Sequence, residues 1–265
     1  VAEPLKASID GRILEPDEAT ISVLDDGLLR GDGAFEAIKL YDGHPFHLAE
    51  HLERLARSAA AIDLPFDEIA LGDEIGALLG AAGAIEAMLR IVITRGGRRI
   101  LLIERLPEWP AQVRIALVPL SPNEILAGVK SISYAANMHA TRIARQRGAD
   151  EAVYVDAAGR VLEAPTSSVF WVGDDGRLRT PSLDTGILDS ITRRVVIDAV
   201  PCEEGAFAAA ALKSAQEAFL ASTTREIQPI GSVDGSELKL PRGGPAAAAA
   251  ATALADAVSA ERGSE

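Results

Sequence analysis

The chain is poor in cysteine, in aromatic residues and in positive charge, and each shortage narrows what it can do. Cys202 is the only cysteine among 265 residues. No internal disulfide can form, and the expected setting is a reducing one, the cytoplasm. No run approaches the roughly 18–20 uncharged apolar residues that cross a bilayer, so no membrane partner is expected. The opening VAEPLKASIDGR lacks a basic segment followed by an apolar one, and no secretory signal is read there. Lys and Arg number 26 against 39 Asp and Glu, a net charge of −13. A surface of that sign argues against nucleic acid as a partner, and it obliges any anionic ligand to find its own arginines and backbone amides. GxGxxG and GxxxxGK[ST] are both absent, leaving a dinucleotide fold and a P-loop without support. Of the four histidines, His47 and His51 stand four apart in HLAEH, but the HExxH order and a third ligand are missing. No metal site is expected.

What is present reads as clustered strands and helices. AFEAIKLY (34–41) has strand character and ends at the hairpin dipeptide Asp42-Gly43. Leu48, Leu52, Leu55, Ala59 and Ile62 then recur at helical spacing. A second helix is expected over Asp73–Ala82, two strands in MLRIVITRGGRRILLIE, and another in VRIALV. PLSPNEILAG (119–128), with two prolines, is the candidate linker between a first domain, 1–118, and a second, 129–265. Beyond it come a helix from about Met138 to Arg147, a hairpin AVYVD-AAG-RVLEA and a strand SVFWV. A helix over Ile187–Ala199, a strand EAFLAS and an alanine-rich helix opened by Pro245 complete the chain. Strands grouped without regular βαβ alternation predict an α+β fold.

Lysines are few: Lys6, Lys39, Lys130, Lys213 and Lys239. Lys130 lies in GVKSISYAAN, among small and apolar residues, where partial desolvation lowers an amine's pKa and makes it a nucleophile. Composition alone favours a snorkelling or surface lysine. Five motifs in order around it resemble the fold type IV pyridoxal-phosphate enzymes. This group includes D-amino-acid and branched-chain aminotransferases and 4-amino-4-deoxychorismate lyase. LDDGLLRGDGAFE resembles the family's entrance motif, in which the aromatic and acidic residues, here Phe35 and Glu36, line the substrate side. HLERL is similar to the helix whose arginine, here Arg54, reaches the cofactor phosphate with its planar fork. VKSISY matches the Schiff-base segment, which makes Lys130 the catalytic lysine.

RVLEAPTSSVFWV resembles the strand and loop whose glutamate, here Glu163, faces the pyridine nitrogen, with Ser167 and Ser168 beside the cofactor. LRTPSLDTGILDSITRR is similar to the element whose Ile191 and Thr192 begin a helix and offer N–H groups to the phosphate. STTREIQPI resembles the turn in which Thr223 donates to the phosphate; Ser222 and Thr224 flank it, the first at the cofactor and both towards substrate. Taken singly, these motifs are a glycine-rich loop, solvated charges and capped helix ends. The sequence departs from the family at Ser168, where asparagine is usual, at Pro165 within the loop, and at Ser190 in place of glycine. Tyr134 is one residue short of the tyrosine that bonds the cofactor's phenolic oxygen in branched-chain enzymes, and its role stays open.

The resemblance implies pyridoxal 5′-phosphate as cofactor, amino-acid and 2-oxo-acid substrates, and a two-domain homodimer. Its first domain is a small α/β unit; its second is larger and β-barrel-like with helices. FEAIK and STT are nearer to the D-amino-acid aminotransferase pattern than to the branched-chain one. Lys39, Arg95 and Arg98 are candidate charges for a substrate carboxylate, although for Arg98, as for Arg99, a solvated hairpin tip is the preferred reading. Transamination with a D-amino acid is therefore the leading expectation. Aminodeoxychorismate lyase, a branched-chain L-amino-acid aminotransferase, and a cofactor-storing protein without turnover are the competitors.

Overall fold

In the computed structural model, which describes residues 3–263, the strands gather in two sheets, each in a unit of its own. The outermost residues of the two expected domains, 1–2 and 264–265, lie outside the described residues.

The first unit takes residues up to 108 together with 129–134. Its elements are β1 (Pro4–Ile9), β2 (Arg12–Leu14), α1 (Asp26–Arg30), β3 (Gly33–Tyr41), β4 (His44–Pro45), α2 (Leu48–Ala61), α3 (Glu68–Ala82), β5 (Ala87–Thr94) and β6 (Arg99–Arg105). The sheet runs β2-β1-β6-β5-β3-β4, antiparallel throughout. Alternation along β3 sends Ala34, Glu36, Ile38 and Leu40 to one side, all fully buried. There Ile38 and Leu40 join Leu55 and Ala59 of α2 and Leu71, Ile75 and Leu78 of α3 in one core. Each such leucine or isoleucine contributes about 2 kcal/mol. Helix α3 begins five residues before the expected Asp73, because Asp67 caps it by accepting from the Ala70 amide at 3.0 Å.

The second unit takes residues 109–128 and 135 onward. It contains β7 (Val113–Pro119), α4 (Ala135–Gln146), β8 (Glu151–Val155), β9 (Ser168–Val172), β10 (Leu178–Pro181), α5 (Ile191–Ala199), β11 (Cys202–Gly205), α6 (Ala209–Lys213), β12 (Glu217–Ser222), β13 (Glu226–Val233), β14 (Ser236–Glu237) and α7 (Pro245–Arg262). The strand order is β11-β10-β9-β12-β13-β7-β8, with β14 beside β13. Strand β7, grouped with residues 1–118 on sequence, pairs in parallel with β8 and β13. Those long-range hydrogen bonds place it in the second sheet. RVLEA returns against β8 as expected, the Asp156 amide donating to the Arg160 carbonyl, the Leu162 amide to the Tyr154 carbonyl and the Tyr154 amide to the Glu163 carbonyl, but through isolated bridges such as Val155↔Val161 in place of a continuous strand. Helix α5 starts at Ile191, not Ile187, since Ser190 takes the N-cap and its hydroxyl accepts from Arg193 N.

Phe170 and Phe219 stack 5.0 Å apart in the core, where α7 also packs Ala247 and Ala250. Pro245 opens α7, as the sequence implies. Buried Glu217 receives the amides of Gly244, Ala246 and Ala247 at 2.6, 3.0 and 3.2 Å, so a carboxylate satisfies three N–H groups at the positive end of the helix. Clustered strands with helices set apart from them give the α+β organisation. Among the described residues no helix is long and apolar enough to cross a membrane.

Candidate active site

Lys130 is fixed by its own backbone. The Phe35 amide donates to the Lys130 carbonyl at 2.9 Å and the Ile132 amide to the Gly33 carbonyl at 3.0 Å, while the Lys130 amide donates to Ser58 Oγ at 3.1 Å. Segment 130–132 thus runs alongside β3 and is tied to α2. Gly33 permits this close approach. A Cβ there would stand 2.3 Å from the Ile93 carbonyl oxygen and 2.8 Å from Ile132 Cδ1. The half-buried ammonium of Lys130 lies 4.3 Å from the centroid of the Phe35 ring, against which Tyr134 packs edge-on at 5.4 Å. An amine so placed has an apolar partner on one side and a rigid backbone beneath it.

Behind β3 is a polar group that sequence reading missed. Glu36, fully buried, accepts from Arg54 Nε and Nη2, both at 2.7 Å. His51 Nδ1 lies 2.7 Å from the same carboxylate. Burial alone would raise the Glu36 pKa; the hydrogen bonds of Arg54 and His51 and the charge of Arg54 outweigh it and bring the carboxyl down to about 2. Burial pushes His51 down, which favours the neutral ring donating through Nδ1–H. His51, Arg54 and Ser58 share one face of α2 at i, i+3 and i+7, a polar stripe beside the leucines that were read. Glu36 was expected with Phe35 on the substrate side. The two-residue period of β3 turns it to the opposite face, towards α2.

In the second unit, Glu163 is half-buried and its Oε1 accepts from the Leu188 amide at 3.2 Å. The Tyr154 amide donates to its carbonyl at 2.8 Å. Ser167 and Ser168 follow, both buried. Asn137 Nδ2 donates to the Pro165 carbonyl at 2.9 Å, pinning the departure from the family's loop. Ile191 and Thr192 are the first two residues of α5, so their amides have no acceptor within the helix. The Ser190 cap supplies this start without glycine. Ser222 ends β12, and half-buried Thr223 and Thr224 form the turn to β13. Among the remaining candidates, Lys39 shares the Phe35 face of β3 and lies 4.4 Å from the Tyr41 ring centroid. Arg95 donates to Asp32 at 3.0 and 3.3 Å and to the carbonyls of Ile62 and Asp63. The structure thus brings Lys130, Phe35, Arg54, Lys39 and Arg95 into the first unit, and Glu163, Ser167, Ser168, Ile191, Thr192, Ser222, Thr223 and Thr224 into the second.

The fold is that of the fold type IV enzymes. A fold IV transaminase from Curtobacterium pusillum superposes with a TM-score of 0.81 at 31% identity, over 92% of each chain. The amino-transferase class IV family model matches residues 33–233. The chain is 31% identical to a putative branched-chain-amino-acid aminotransferase of Methanocaldococcus jannaschii, over 87% of this chain and 88% of that protein. It is also 31% identical to a D-alanine aminotransferase of Listeria innocua, with 91% and 92% covered. To an aminodeoxychorismate lyase of Bacillus subtilis it is 30% identical, with 85% and 86% covered. The chain belongs to the class IV aminotransferase family. It is a pyridoxal-phosphate-dependent enzyme of transaminase or lyase type.

The residues present fit that cofactor. The hydroxyls of Ser167 and Ser168 are buried with no hydrogen-bond partner among the described residues, as groups awaiting a polar ligand are. The donor set is also of the required chemistry. It comprises an amine beside a ring, a guanidinium, an oriented carboxylate, a helix N-terminus and a turn of hydroxyls.

Proposed function

We propose that the chain transfers an amino group between an amino acid, preferably of D configuration, and a 2-oxo acid. The carrying observation is the placement of Phe35 and Lys39 on one face of β3, with the Lys130 ammonium 4.3 Å from the Phe35 ring. A hydrophobic ring and a cation on that face suit a small amino acid with its carboxylate held by charge. The FEAIK and STT patterns and the likeness to a D-alanine aminotransferase support the same reading.

In this reading Lys130 would hold the cofactor covalently until the substrate's amine displaces it, and its freed Nζ would then carry the α-proton from Cα to the cofactor carbon that bears the amino group. Glu163 accepts a hydrogen bond from the cofactor's ring nitrogen. Arg54, the amides of Ile191 and Thr192 and the Thr223 hydroxyl hold the phosphate, with Ser167, Ser168 and Ser222 adjoining. Thr224 and Arg95 complete the substrate side, Arg95 through the loop it anchors. When bound, pyridoxal phosphate supplies a carbonyl that receives the amino group and a ring that delocalises the electrons left at Cα. Glu36 keeps Arg54 in one orientation. Val23, Leu24, Leu28 and Leu29, all well exposed within one short stretch of sequence, support a homodimer. The single cysteine supports a cytoplasmic setting.

Purified enzyme incubated with single D- or L-amino acids and a 2-oxo acid acceptor tests this. Exchange with D-alanine in preference to L-valine is expected. Preference for L-valine or L-leucine would favour the branched-chain reading. Release of 4-aminobenzoate from aminodeoxychorismate, with no amino exchange, would replace transamination with the lyase. Turnover of none of these would favour a storage role.

A further inference from the structure

The turn joining β12 and β13 is held by a cluster outside the cofactor set, its arginine, glutamate and glutamine buried and its Trp109 38% exposed. Ser222 pairs with Glu226, so only Thr223, Thr224 and Arg225 reverse the chain, and Glu226 sits at φ +56, a conformation disfavoured for any residue with a Cβ. The Arg225 guanidinium lies 3.8 Å from the centroid of the Trp109 ring. Its Nη1 donates to Gln228 Oε1 at 2.7 Å, and its Nη2 pairs with the carboxylate of Glu151 on β8. Glu151 also accepts from Thr141 Oγ1 at 2.9 Å, and Gln228 Nε2 donates to the Pro110 carbonyl at 2.7 Å. Trp109 closes the circuit, its Nε1–H donating to the Thr224 carbonyl at 3.0 Å.

Arg225, Glu151 and Gln228 are each more than nine-tenths buried. A buried ion pair contributes little net stability compared with apolar residues of the same volume; what it can supply is one defined geometry. Both ends of this cluster touch the same three-residue turn. The Arg225 side chain grips it from one end, and the Trp109 indole holds the carbonyl of its middle residue.

We propose that Trp109, Arg225 and Glu151 are positioning residues that hold the Thr223–Thr224 turn in the shape that receives the cofactor's phosphate monoester. The inference rests on the reading of Thr223 as a phosphate ligand. It assigns the cluster to phosphate affinity in particular, and not to folding in general.

Apoprotein titrated with pyridoxal phosphate and with pyridoxal, which lacks the phosphate, gives the test as a ratio of two affinities. Far-UV circular dichroism and amide hydrogen exchange are followed in parallel. Trp109→Phe keeps a ring under the guanidinium and removes only the N–H donor. It is expected to fold, to lower the ratio about five-fold, the worth of one neutral hydrogen bond, and to speed exchange at residues 223–226. Arg225→Lys keeps a charge for Glu151 but loses the fork to Gln228, and should lower the ratio at least as far. If Trp109→Phe does not fold, Arg225→Lys decides. Equal loss of both affinities, or an unchanged ratio, would overturn the inference. Thr223→Ala separates the two levels. A lowered ratio there with unchanged ratios in the cluster variants overturns the positioning role alone; an unchanged ratio in Thr223→Ala overturns the phosphate reading and the inference with it.

Discussion

Replacing Glu36 by glutamine isolates the charge of the buried group behind β3. The substitution preserves shape and one acceptor oxygen but leaves the Arg54 guanidinium, 5% exposed, without its counter-charge. Removing one partner of a buried pair costs about 3–5 kcal/mol. A second route gives a similar figure. Glu36 falls from 4.5 to about 2, about 2.5 pH units, which at about 1.4 kcal/mol per unit is on the order of 3–4 kcal/mol. The sign follows from the direction. A carboxyl whose folded pKa is depressed stabilises the fold above about pH 4.5, and that contribution disappears as the pH falls towards 2. His51, lowered by burial, adds a loss of the same sign from about pH 6.5 downward. Trp109 and Trp171 both belong to the second unit, so their fluorescence does not report on the first. Hydrogen exchange of peptides spanning residues 33–61, measured against urea and pH, does. Wild type should lose protection progressively from pH 6.5 to 2. Glu36→Gln should start about 3 kcal/mol lower and lack the step between pH 4.5 and 2. Glu36→Gln combined with Arg54→Met should recover much of the loss, since no unpaired charge remains. A loss under 1 kcal/mol with an unaltered acid profile would refute the reasoning.

Two further predictions concern stability. Glu217→Gln removes the carboxylate that receives three amides at the start of α7, that of its N-cap Gly244 and those of Ala246 and Ala247; it should cost about 1–2 kcal/mol, read as a lower urea midpoint of tryptophan fluorescence, and an unchanged midpoint contradicts it. Gly43→Ala should cost roughly 1–3 kcal/mol, because φ is +86 and its Cβ would lie 2.7 Å from the Gly83 carbonyl oxygen. Gly76→Ala, mid-helix with nothing within 4 Å of the new methyl, should instead gain about 0.5–1 kcal/mol. Thermal unfolding that ranks these two glycines the other way would be inconsistent with that geometry.

What was legible in the sequence was local. Asp42-Gly43 gave a turn because both residues take positive φ, and Pro245 gave a helix start. For α5 the apolar pattern alone starts at Ile187, four residues early, whereas the motif has Ile191 and Thr192 begin the helix, where the Ser190 hydroxyl caps it. Non-local pairing was not readable. Strand β7 reveals its sheet only through parallel partners 36 and 117 residues away, Ile115 to Glu151 and Val113 to Ile230. Strands β10 and β11, four residues each, carry too little periodicity to read. The candidate site follows the same division. Its motif residues stand in recognisable local patterns, and Gly33 has its steric reason in the approach of segment 130–132. Glu36 and Arg54 are 18 residues apart, and only their placement on facing sides of β3 and α2 makes them partners. The sequence signal that could have found them was the i, i+3 spacing of His51 and Arg54 on a helix packed against a strand bearing an inward-facing glutamate.

Lys130 as the bearer of the cofactor is tested most directly by reducing the holoenzyme with borohydride, digesting it and locating the pyridoxyl mass by tandem mass spectrometry. The adduct is expected on the peptide containing Lys130, at one equivalent per chain, and should be missing from the Lys130→Ala protein. An adduct on Lys6, Lys39, Lys213 or Lys239, or one that persists at the same level in Lys130→Ala, would contradict the assignment.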